Sequence, residues 1–403
     1  MNELELYIHI PFCMKKCNYC DFLSAPADEK SQSAYMEGLK RELAFYGKRF
    51  PGREISTIYI GGGTPSWLQE SYIAKLMEEV YRDFSVAKDA EITIECNPGT
   101  LTKSKLKCYQ TAGINRLSIG LQSADDAELK LLGRVHTFEQ FLRNYELARE
   151  CGFQNINLDL MDSLPGHTPE KFYQTLVKTA RLNPEHISCY SLIIEKGTPF
   201  YDRYKFDMIK FHAGMQTEEL PMEDTVYQIG KMTQDFLAER GYQQYEISNY
   251  AKPGFACRHN IGYWKRFEYL GVGLGASSLL SEVRYSNVTD LEEYIEKSFQ
   301  IEGTHVLDET LRRTVFCSSL HQKADALSRN AQMEEFMFLG LRMTEGIEKS
   351  RFYQAFGFTV DFIYKDALSK LKSEGMLVET PVWIYLTEQG MDLNNYAVSQ
   401  FLL

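Results

Sequence analysis

The chain has 403 residues, and 44 Lys and Arg against 55 Asp and Glu give it a net charge of −11. Such an acidic protein is a poor candidate for nonspecific binding to nucleic acid or to an anionic membrane. Hydrophobic residues make up 44 % and charged residues 25 %, which excludes a disordered chain. At roughly 150 residues per domain, the length predicts two or three domains.

Neither a membrane span nor a secretory signal is visible in the sequence. No apolar run approaches the ~18 residues that a spanning helix needs, and the mean hydropathy is −0.33. The first residues, Met-Asn-Glu-Leu-Glu-Leu, are acidic where a signal peptide is basic and then apolar. We therefore expect a cytoplasmic protein without a transmembrane segment. Transient contact with a membrane protein is compatible with this expectation.

Short apolar segments alternate with amphipathic ones through the first half of the chain. This alternation predicts βα units around a parallel sheet, and hence the α/β fold class. Six units over roughly 190 residues favour a partial, open (β/α)6 barrel resembling a TIM barrel over a closed eight-unit barrel. The predicted strands are 6–10, 57–60, 92–95, 116–120, 155–160 and 187–192, and the predicted helices are 32–46, 69–84, 101–112, 137–151 and 169–182.

The pattern is less regular after the sixth unit. An irregular segment at 196–221 precedes a helix predicted at 224–240, and a charged helix is predicted at 290–298. We assign the barrel domain to 1–298. Residues 299–330 have no clear period and are interpreted as a connector, whose structure the sequence leaves open over 305–330.

The last part of the chain, 331–403, changes to three helices followed by a hairpin around 376–386, which predicts a small winged-helix-like domain. This part has 6 basic and 10 acidic side chains, and this acidic excess is the opposite of the charge balance that a DNA-binding wing requires. We therefore expect a packing domain and no nucleic-acid partner.

Three of the nine cysteines, Cys13, Cys17 and Cys20, lie within eight residues, in the loop predicted after the first strand. Barrels of this class carry their chemistry at this end of the strands. Thiolates bind zinc and iron–sulfur clusters, but a structural zinc site needs four ligands, and His9, the nearest fourth, would point away from the loop. A [4Fe–4S] cluster on three cysteines leaves one iron open, and we favour it over zinc or three unligated thiols.

The spacing Cys-x3-Cys-x2-Cys resembles the motif of the radical S-adenosylmethionine (SAM) superfamily. In that family the open iron binds the amino and carboxylate groups of SAM, and an electron from the cluster cleaves the sulfonium to give a 5′-deoxyadenosyl radical. The resemblance implies that Cys13, Cys17 and Cys20 are the metal ligands. It also implies that Tyr19 shields the cluster and contacts adenine, and that Tyr7 belongs to the cofactor site.

Glycines and polar residues at the strand ends fit the same interpretation. Three consecutive glycines in Gly61-Gly-Gly-Thr-Pro-Ser66 let a ligand approach the backbone closely. By resemblance, Gly62, Gly63 and Thr64 hold the amino group of SAM.

Polar side chains at the ends of three later strands, Glu95, Gln122 and Asp159, predict a polar site at the top of the barrel. The resemblance implies that Glu95 contacts the methionyl amine and Asp159 a ribose hydroxyl, with Gln122 nearby. It also implies that Arg134 pairs with the ligand carboxylate.

Longer motifs make almost the whole chain similar to the oxygen-independent coproporphyrinogen III oxidase-like group. This group contains coproporphyrinogen dehydrogenases of porphyrin metabolism and heme chaperones. The stretch from Met161 to His167 departs from the usual pattern of the group. The matching motifs are Tyr7-x-His-Ile-Pro-Phe-Cys13, Gly61–Ser66, Glu95-Cys-Asn-Pro98 and Asn157-Leu-Asp-Leu160.

Three features favour the heme chaperones over the oxidases. The oxidases carry a cysteine where this chain has Phe22, and an N-terminal segment that reaches toward the substrate, whereas only six residues precede Tyr7 here. The stretch His259-Asn-Ile-Gly-Tyr-Trp264 matches the His-Asn-x-x-Tyr-Trp signature of the chaperones. A neutral imidazole flanked by aromatic residues can be an axial heme ligand. We therefore predict that His259 binds heme, with Cys257 as a weaker alternative.

The expected function is that of a heme chaperone that binds heme, a [4Fe–4S] cluster and SAM. It would pass heme to acceptor proteins of unknown identity and would receive electrons for its cluster from a donor. The alternative is an oxygen-independent coproporphyrinogen III dehydrogenase, and a third option is a radical enzyme with an unrelated substrate. No catalytic residue is assigned, and dehydrogenase activity is not expected although the radical SAM core is intact.

Overall fold

The computed structural model describes residues 3–308 and 313–403. Part of the predicted connector, 309–312, therefore lies outside the described residues. In the described ranges the strands are β1 (Glu3–Ile10), β2 (Glu54–Gly62), β3 (Ser85–Cys96), β4 (Arg116–Gln122), β5 (Ile156–Asp162), β6 (His186–Ser191), β7 (Gln243–Gln244), β8 (Asn249–Ala251), β9 (Tyr269–Val272), β10 (Ser277–Leu280), β11 (Val283–Asn287), β12 (Gly303–Asp308), β13 (Arg313–Ser318), β14 (His321–Ala326), β15 (Ile347–Glu348), β16 (Leu377–Glu379) and β17 (Trp383–Leu386).

The helices of the same residues begin mostly at capping side chains. Thr102, Thr137 and Thr168 each accept a hydrogen bond from the backbone N–H three residues further on, which is the geometry of a helix N-cap. The helices are α1 (Glu29–Arg49), α2 (Glu70–Asp83), α3 (Lys103–Thr111), α4 (Asp126–Leu131), α5 (Phe138–Glu150), α6 (Pro169–Arg181), α7 (Pro199–His212), α8 (Glu223–Ala238), α9 (Arg258–Trp264), α10 (Leu291–Ser298), α11 (Arg329–Gly340), α12 (Lys349–Phe356), α13 (Val360–Ile363), α14 (Lys365–Ser373), α15 (Glu388–Asp392) and α16 (Asn394–Ser399).

Strands β1 to β6 are parallel neighbours in chain order, with helices in the connections between them. The α/β fold class and the partial (β/α)6 barrel are thus confirmed. Side chains alternate along each strand. In β1, Leu6 and Ile8 are fully buried in the main hydrophobic core, while Tyr7 and His9 lie on the opposite, inner face.

The barrel interior is polar. Its buried positions on successive strands include Glu5, Thr57, Glu91, Arg116 and Asn157. A closed eight-stranded barrel fills this space with layers of branched aliphatic side chains. In this chain, therefore, hydrogen bonds between side chains of neighbouring strands, such as Asn157 and Ser118, replace part of the apolar packing inside the barrel.

The sheet continues on both sides of the barrel. Strand β9 is parallel to β1 and is followed by β10, β11 and β14, while β8 and β7 extend the sheet beyond β6. The interpretation of 299–330 as an irregular connector differs from this structure, because β12 and β13 form a hairpin and β14 joins the main sheet. The short strands carry several half-buried residues, which obscures a two-residue period.

The irregular segment predicted at 196–221 contains helix α7. Phe206 and Ile209 of this helix are exposed, so its apolar residues do not mark one buried face. No helix of the described residues has the length and apolarity that crossing a bilayer demands.

The C-terminal domain has the predicted winged-helix-like arrangement. Helix α11, strand β15 and helices α12 to α14 precede the β16–β17 hairpin, and the three strands pair in the order β15-β17-β16. A separate core that includes Phe352, Leu371 and Phe401 holds these elements together. Glu335 of α11 bridges Arg266 and Arg284 of the barrel domain, at 3.1 and 2.9 Å.

Candidate functional site

The cysteine loop follows β1 and is fixed at several points. The backbone N–H of Cys13 donates to the Ala25 carbonyl at 3.2 Å, and a turn brings the N–H of Cys20 to the Cys17 carbonyl at 3.3 Å. Asn18 holds the other side of the loop, because its backbone N–H and side-chain amide bond the carbonyls of Leu132 and Leu131. All three cysteines are free thiols.

The chemistry of the loop fits an iron–sulfur cluster better than a single metal ion. Among residues 3–308 and 313–403, no three Cys, His, Asp or Glu side chains are placed to hold a single metal ion together. His9 is not a fourth ligand, because its Nε2–H donates to the Leu23 carbonyl and its Nδ1 accepts from the Tyr7 hydroxyl. Each cysteine of a [4Fe–4S] cube binds a different iron, so three thiols without a fourth residue fit a cube with one open iron.

The three cysteines line the same cavity, of about 260 Å³, as most of the predicted cofactor residues. Of the ten side chains and glycines predicted to bind a cofactor, this cavity contains all except Tyr7 and His259. The eight that line it are Tyr19, Gly62, Gly63, Thr64, Glu95, Gln122, Arg134 and Asp159.

Gly62 and Gly63 are required by the close approach of two chain segments. Gly62 has a φ of +113°, and a Cβ there would lie 2.5 Å from His9 Cε1. A Cβ on Gly63 would lie 2.6 Å from the Phe12 carbonyl oxygen. The same tight turn aims the Gly62 N–H at Glu95 Oε2, at 2.9 Å.

Glu95 and Asp159 are two partly buried carboxyl groups that line one cavity. The Tyr59 hydroxyl donates to Glu95 Oε1 at 3.0 Å. Burial, with a smaller contribution from Asp159, raises the pKa of Glu95 to about 7. Burial also raises the pKa of Asp159, although a hydrogen bond from Asn157 opposes it. A cationic ligand in this cavity would favour the ionised forms of both groups.

Arg134 brings a positive charge to the same cavity. Its guanidinium bonds the side chain of Asn97 and the Gly120 carbonyl, and Nη1 lies 3.6 Å from Sγ of Cys17. Its Nε is buried without a hydrogen-bond partner among the described residues. A buried N–H of a guanidinium that has no hydrogen-bond partner is suited to bind the carboxylate of a ligand.

Gln122 ends β4 with a φ of +69°, which is unusual for a residue other than glycine. Its side chain accepts a hydrogen bond of 2.8 Å from the Tyr190 hydroxyl. Such backbone strain occurs often at functional sites.

The structure corrects the predicted position of Asp159, which lies in the middle of β5 and not at its end. Strand β5 continues to Asp162, and Asp159 reaches the cavity because it shares the inner face with Asn157. Tyr59 and Tyr190 also line the cavity and were missed. Tyrosine in a strand is ordinarily a core residue, and the only available signal is its position on the inner face.

His259 lies outside the cavity of the cysteines, on helix α9. Its side chain is 1 % exposed, and both ring nitrogens are engaged, Nδ1 with the Thr57 hydroxyl at 2.7 Å and Nε2 with the Tyr263 hydroxyl at 3.0 Å. Burial, together with the nearby charge of Arg116, lowers the pKa of His259 to about 3, so the ring is neutral. Cys257 is fully buried and lies 3.4 Å from Glu91.

A second cavity, of about 390 Å³, has a cluster of aromatic side chains in its lining. Tyr7, Tyr263, Trp264 and Tyr269 line it, together with His9, Arg284 and several small or aliphatic residues. The last two residues of the His259–Trp264 stretch thus face this cavity, while His259 faces the barrel interior. We call it the aromatic cavity.

Comparisons with known proteins identify the family of the chain. The sequence model of the Radical SAM superfamily matches residues 7–178, and that of the HemN C-terminal domain matches residues 327–393. The protein named heme chaperone HemW of Bacillus subtilis is 36 % identical, over 98 % of both chains. The protein of the same name from Escherichia coli is 34 % identical, over 99 % of this chain and 98 % of that one.

The chain belongs to the HemW family. Membership of the radical SAM superfamily implies a [4Fe–4S] cluster and SAM as cofactors. Among solved structures, coproporphyrinogen III oxidase (HemN) from Escherichia coli, described as a radical SAM enzyme, matches with a TM-score of 0.79 and 25 % identity. The match covers 100 % of this chain and 91 % of that one, so the resemblance and the fold predicted from the motifs are both confirmed.

Proposed function

We propose that this chain is a heme chaperone, which binds heme and passes it to acceptor proteins, and whose core binds a [4Fe–4S] cluster and SAM. The observation that carries the proposal is the similarity, over almost the full length, to relatives named heme chaperones. The working compartment we propose is the cytoplasm, and nine free cysteines are consistent with a reducing compartment.

The residues of the first cavity are assigned roles by their charge and position. Cys13, Cys17 and Cys20 would hold the cluster, which in its reduced form would supply one electron to the SAM sulfonium. Arg134 pairs with the SAM carboxylate, and Glu95 accepts a hydrogen bond from the SAM amine. The other cavity residues predicted from the sequence, Tyr19, Gly62, Gly63, Thr64, Gln122 and Asp159, complete the proposed ligand set.

The aromatic cavity is the proposed contact site for the edge of heme. Aromatic rings such as those of Tyr263 and Trp264 stack on flat macrocycles, and Arg284 can pair with a propionate. His259 remains the iron ligand predicted from the sequence. In the structure both of its ring nitrogens are engaged, so ligation through His259 requires α9 to release Thr57 or Tyr263.

The proposed electron donor is an acidic one-electron carrier that docks at the cysteine loop. Lys15 and Lys16 are exposed on this loop and line the entrance of the cluster cavity. Opposite charges steer association between such partners.

The second candidate function is coproporphyrinogen III dehydrogenase. The fit to HemN from Escherichia coli favours it. Phe22 weighs against it, because the oxidases carry a cysteine at this position, and this phenylalanine is 64 % exposed at the edge of the cluster cavity. Heme titration and a coproporphyrinogen conversion assay on the same anaerobically reconstituted protein separate the two functions.

A further inference from the structure

We propose that His259 is a positioning residue for the SAM site, because it fixes the ring of Tyr59, whose hydroxyl holds Glu95. The inference rests on the SAM-binding part of the proposed function. It gives His259 a role that does not require it to reach heme iron.

The contacts of His259 form a closed set around a buried ring. The imidazole stacks on Tyr59, with ring centroids 5.2 Å apart and an angle of 23° between the planes. The hydroxyls of Thr57 and Tyr263 engage its two nitrogens from opposite sides. Thr57 and Tyr59 of β2 and Tyr263 of α9 therefore determine the orientation of the ring.

Tyr59 transmits this orientation to the cavity. Its hydroxyl bonds Oε1 of Glu95, and the Gly62 N–H bonds Oε2, so each carboxylate oxygen has one fixed donor. If the Tyr59 ring tilts, the hydroxyl leaves Oε1 and the carboxylate can rotate about its remaining bond. The group proposed to meet the SAM amine would then lose its fixed position.

Helix α9 is itself anchored to residues of β1 and β3 inside the barrel, which we call the floor of the barrel. Glu91 accepts hydrogen bonds from the backbone N–H groups of Arg258 and His259, at 3.2 Å each. A Cβ on Gly262 would lie 1.8 Å from Glu5 Oε1, so only glycine lets the helix pack this closely.

The charged and titratable groups that face His259 do not form an ion pair with it. Glu5 Oε2 lies 3.9 Å from Nδ1, but burial raises the pKa of Glu5 to about 9 and the carboxyl is neutral at pH 7. Arg116 and Glu91 also lie close to the ring, and Arg258 precedes it on the same helix. The ring therefore acts through its hydrogen bonds and its shape, in the neutral form.

The test compares SAM binding by variants of the anaerobically reconstituted full chain. SAM affinity is measured by calorimetry, and the EPR spectrum of the reduced cluster is recorded with and without SAM. We expect His259→Ala and Tyr59→Phe each to weaken SAM binding by about tenfold, the lower end of the range for residues that orient a ligating group. The double variant should bind no more weakly than either single variant, because both changes break one linkage.

A conservative variant and a matched control separate positioning from general destabilisation. His259→Gln keeps a side-chain amide that can bond Thr57, so it should recover part of the affinity. His321→Ala removes another imidazole that bonds a tyrosine, Tyr46 at 2.7 Å, away from both cavities, and should leave SAM binding unchanged. Iron content must be equal in all variants compared.

The outcomes distinguish the inference from the proposed function. Wild-type affinity and EPR response in His259→Ala would overturn the positioning role, as would equal losses in His259→Ala and His321→Ala. Loss of heme binding with intact SAM binding would also overturn it, and would assign His259 to heme. Failure of the wild-type chain to bind SAM would overturn the proposed SAM function itself and the inference with it.

Discussion

The guanidinium of Arg134 lies 3.6 Å from Sγ of Cys17, so one partly buried cation contacts the cysteine loop and lines the cavity that the cysteines share with the proposed ligand residues. The unpartnered Nε of the same side chain is available to a ligand carboxylate. Arg134 therefore couples the proposed cluster and ligand sites.

Replacing Arg134 by Gln should weaken SAM binding by about 10-fold to 100-fold, because a hydrogen bond to a charged group is worth about 1.5–3 kcal/mol. Arg134→Lys should recover little, since lysine lacks the planar fork that bonds two partners. Calorimetric titration of the reconstituted variants measures the effect. Unchanged affinity in Arg134→Gln would remove the arginine from the ligand set.

The cysteine assignment predicts about four iron and four sulfide ions per chain after anaerobic reconstitution, the content of one [4Fe–4S] cluster. Cys17→Ser should lose most of this content, because a hydroxyl is a poor replacement for a soft thiolate. Cys151→Ser, on a partly buried cysteine after α5, is the matched control and should keep the cluster. Zinc without sulfide in the wild type would contradict the assignment.

The raised pKa of Glu95, about 7, predicts a pH dependence of SAM binding. The N–H groups of the SAM amine and the positive sulfonium both prefer the ionised carboxylate, so affinity should rise as pH increases from 6 to 8 and then level off. Binding should in turn lower the pKa of Glu95, with release of a proton below pH 7. In Glu95→Gln the affinity should be lower and the slope flatter, and an unchanged slope would assign the titration to another group.

Ionisation of Glu95 has the opposite effect on the folding stability of the unliganded chain, which falls as pH rises. A carboxyl whose folded-state pKa is raised contributes stability that is fully present below its unfolded pKa, near 4.3 to 4.5, and is lost as pH rises through about 7. Compared with the wild type, the unliganded Glu95→Gln variant should therefore gain more stability, or lose less, at pH 8 than at pH 5. Urea unfolding at the two pH values measures this difference.

The two glycines Gly62 and Gly99 provide a matched pair. Both have positive φ, of +113° and +89°, but a Cβ on Gly62 would collide with His9, while nothing lies within 4 Å of a Cβ on Gly99. Gly99→Ala should cost about 1–2 kcal/mol of stability through backbone strain alone. Gly62→Ala should cost more and should also weaken SAM binding. Equal effects of the two variants would argue against a close fit at Gly62.

The parts of this structure that the sequence predicts are those with a local pattern. The alternation of strands and helices predicts the six-unit barrel, and the cysteine spacing and the glycine run predict the position of the cavity. The sequence places Asp159 near a strand end because the predicted strand stops at residue 160, whereas β5 continues to Asp162.

The floor of the barrel depends on contacts that no local pattern reveals. Thr57 and His259 are separated by about 200 residues in sequence and are joined by one hydrogen bond. The motif that contains His259 therefore suggested a ligand, while its buried position became apparent only from the packing of α9. Strand β14 was missed for a similar reason, because it gains its partner, β11, from outside its own segment.

The most direct measurement for the heme-chaperone proposal is a paired assay on one anaerobically reconstituted preparation. Heme is titrated into one portion, and coproporphyrinogen III, SAM and a reductant are added to another. The proposal predicts saturable binding of about one heme per chain and no detectable protoporphyrinogen. Robust conversion of coproporphyrinogen III that depends on the cluster, with no saturable heme binding, would contradict the proposal and establish the dehydrogenase.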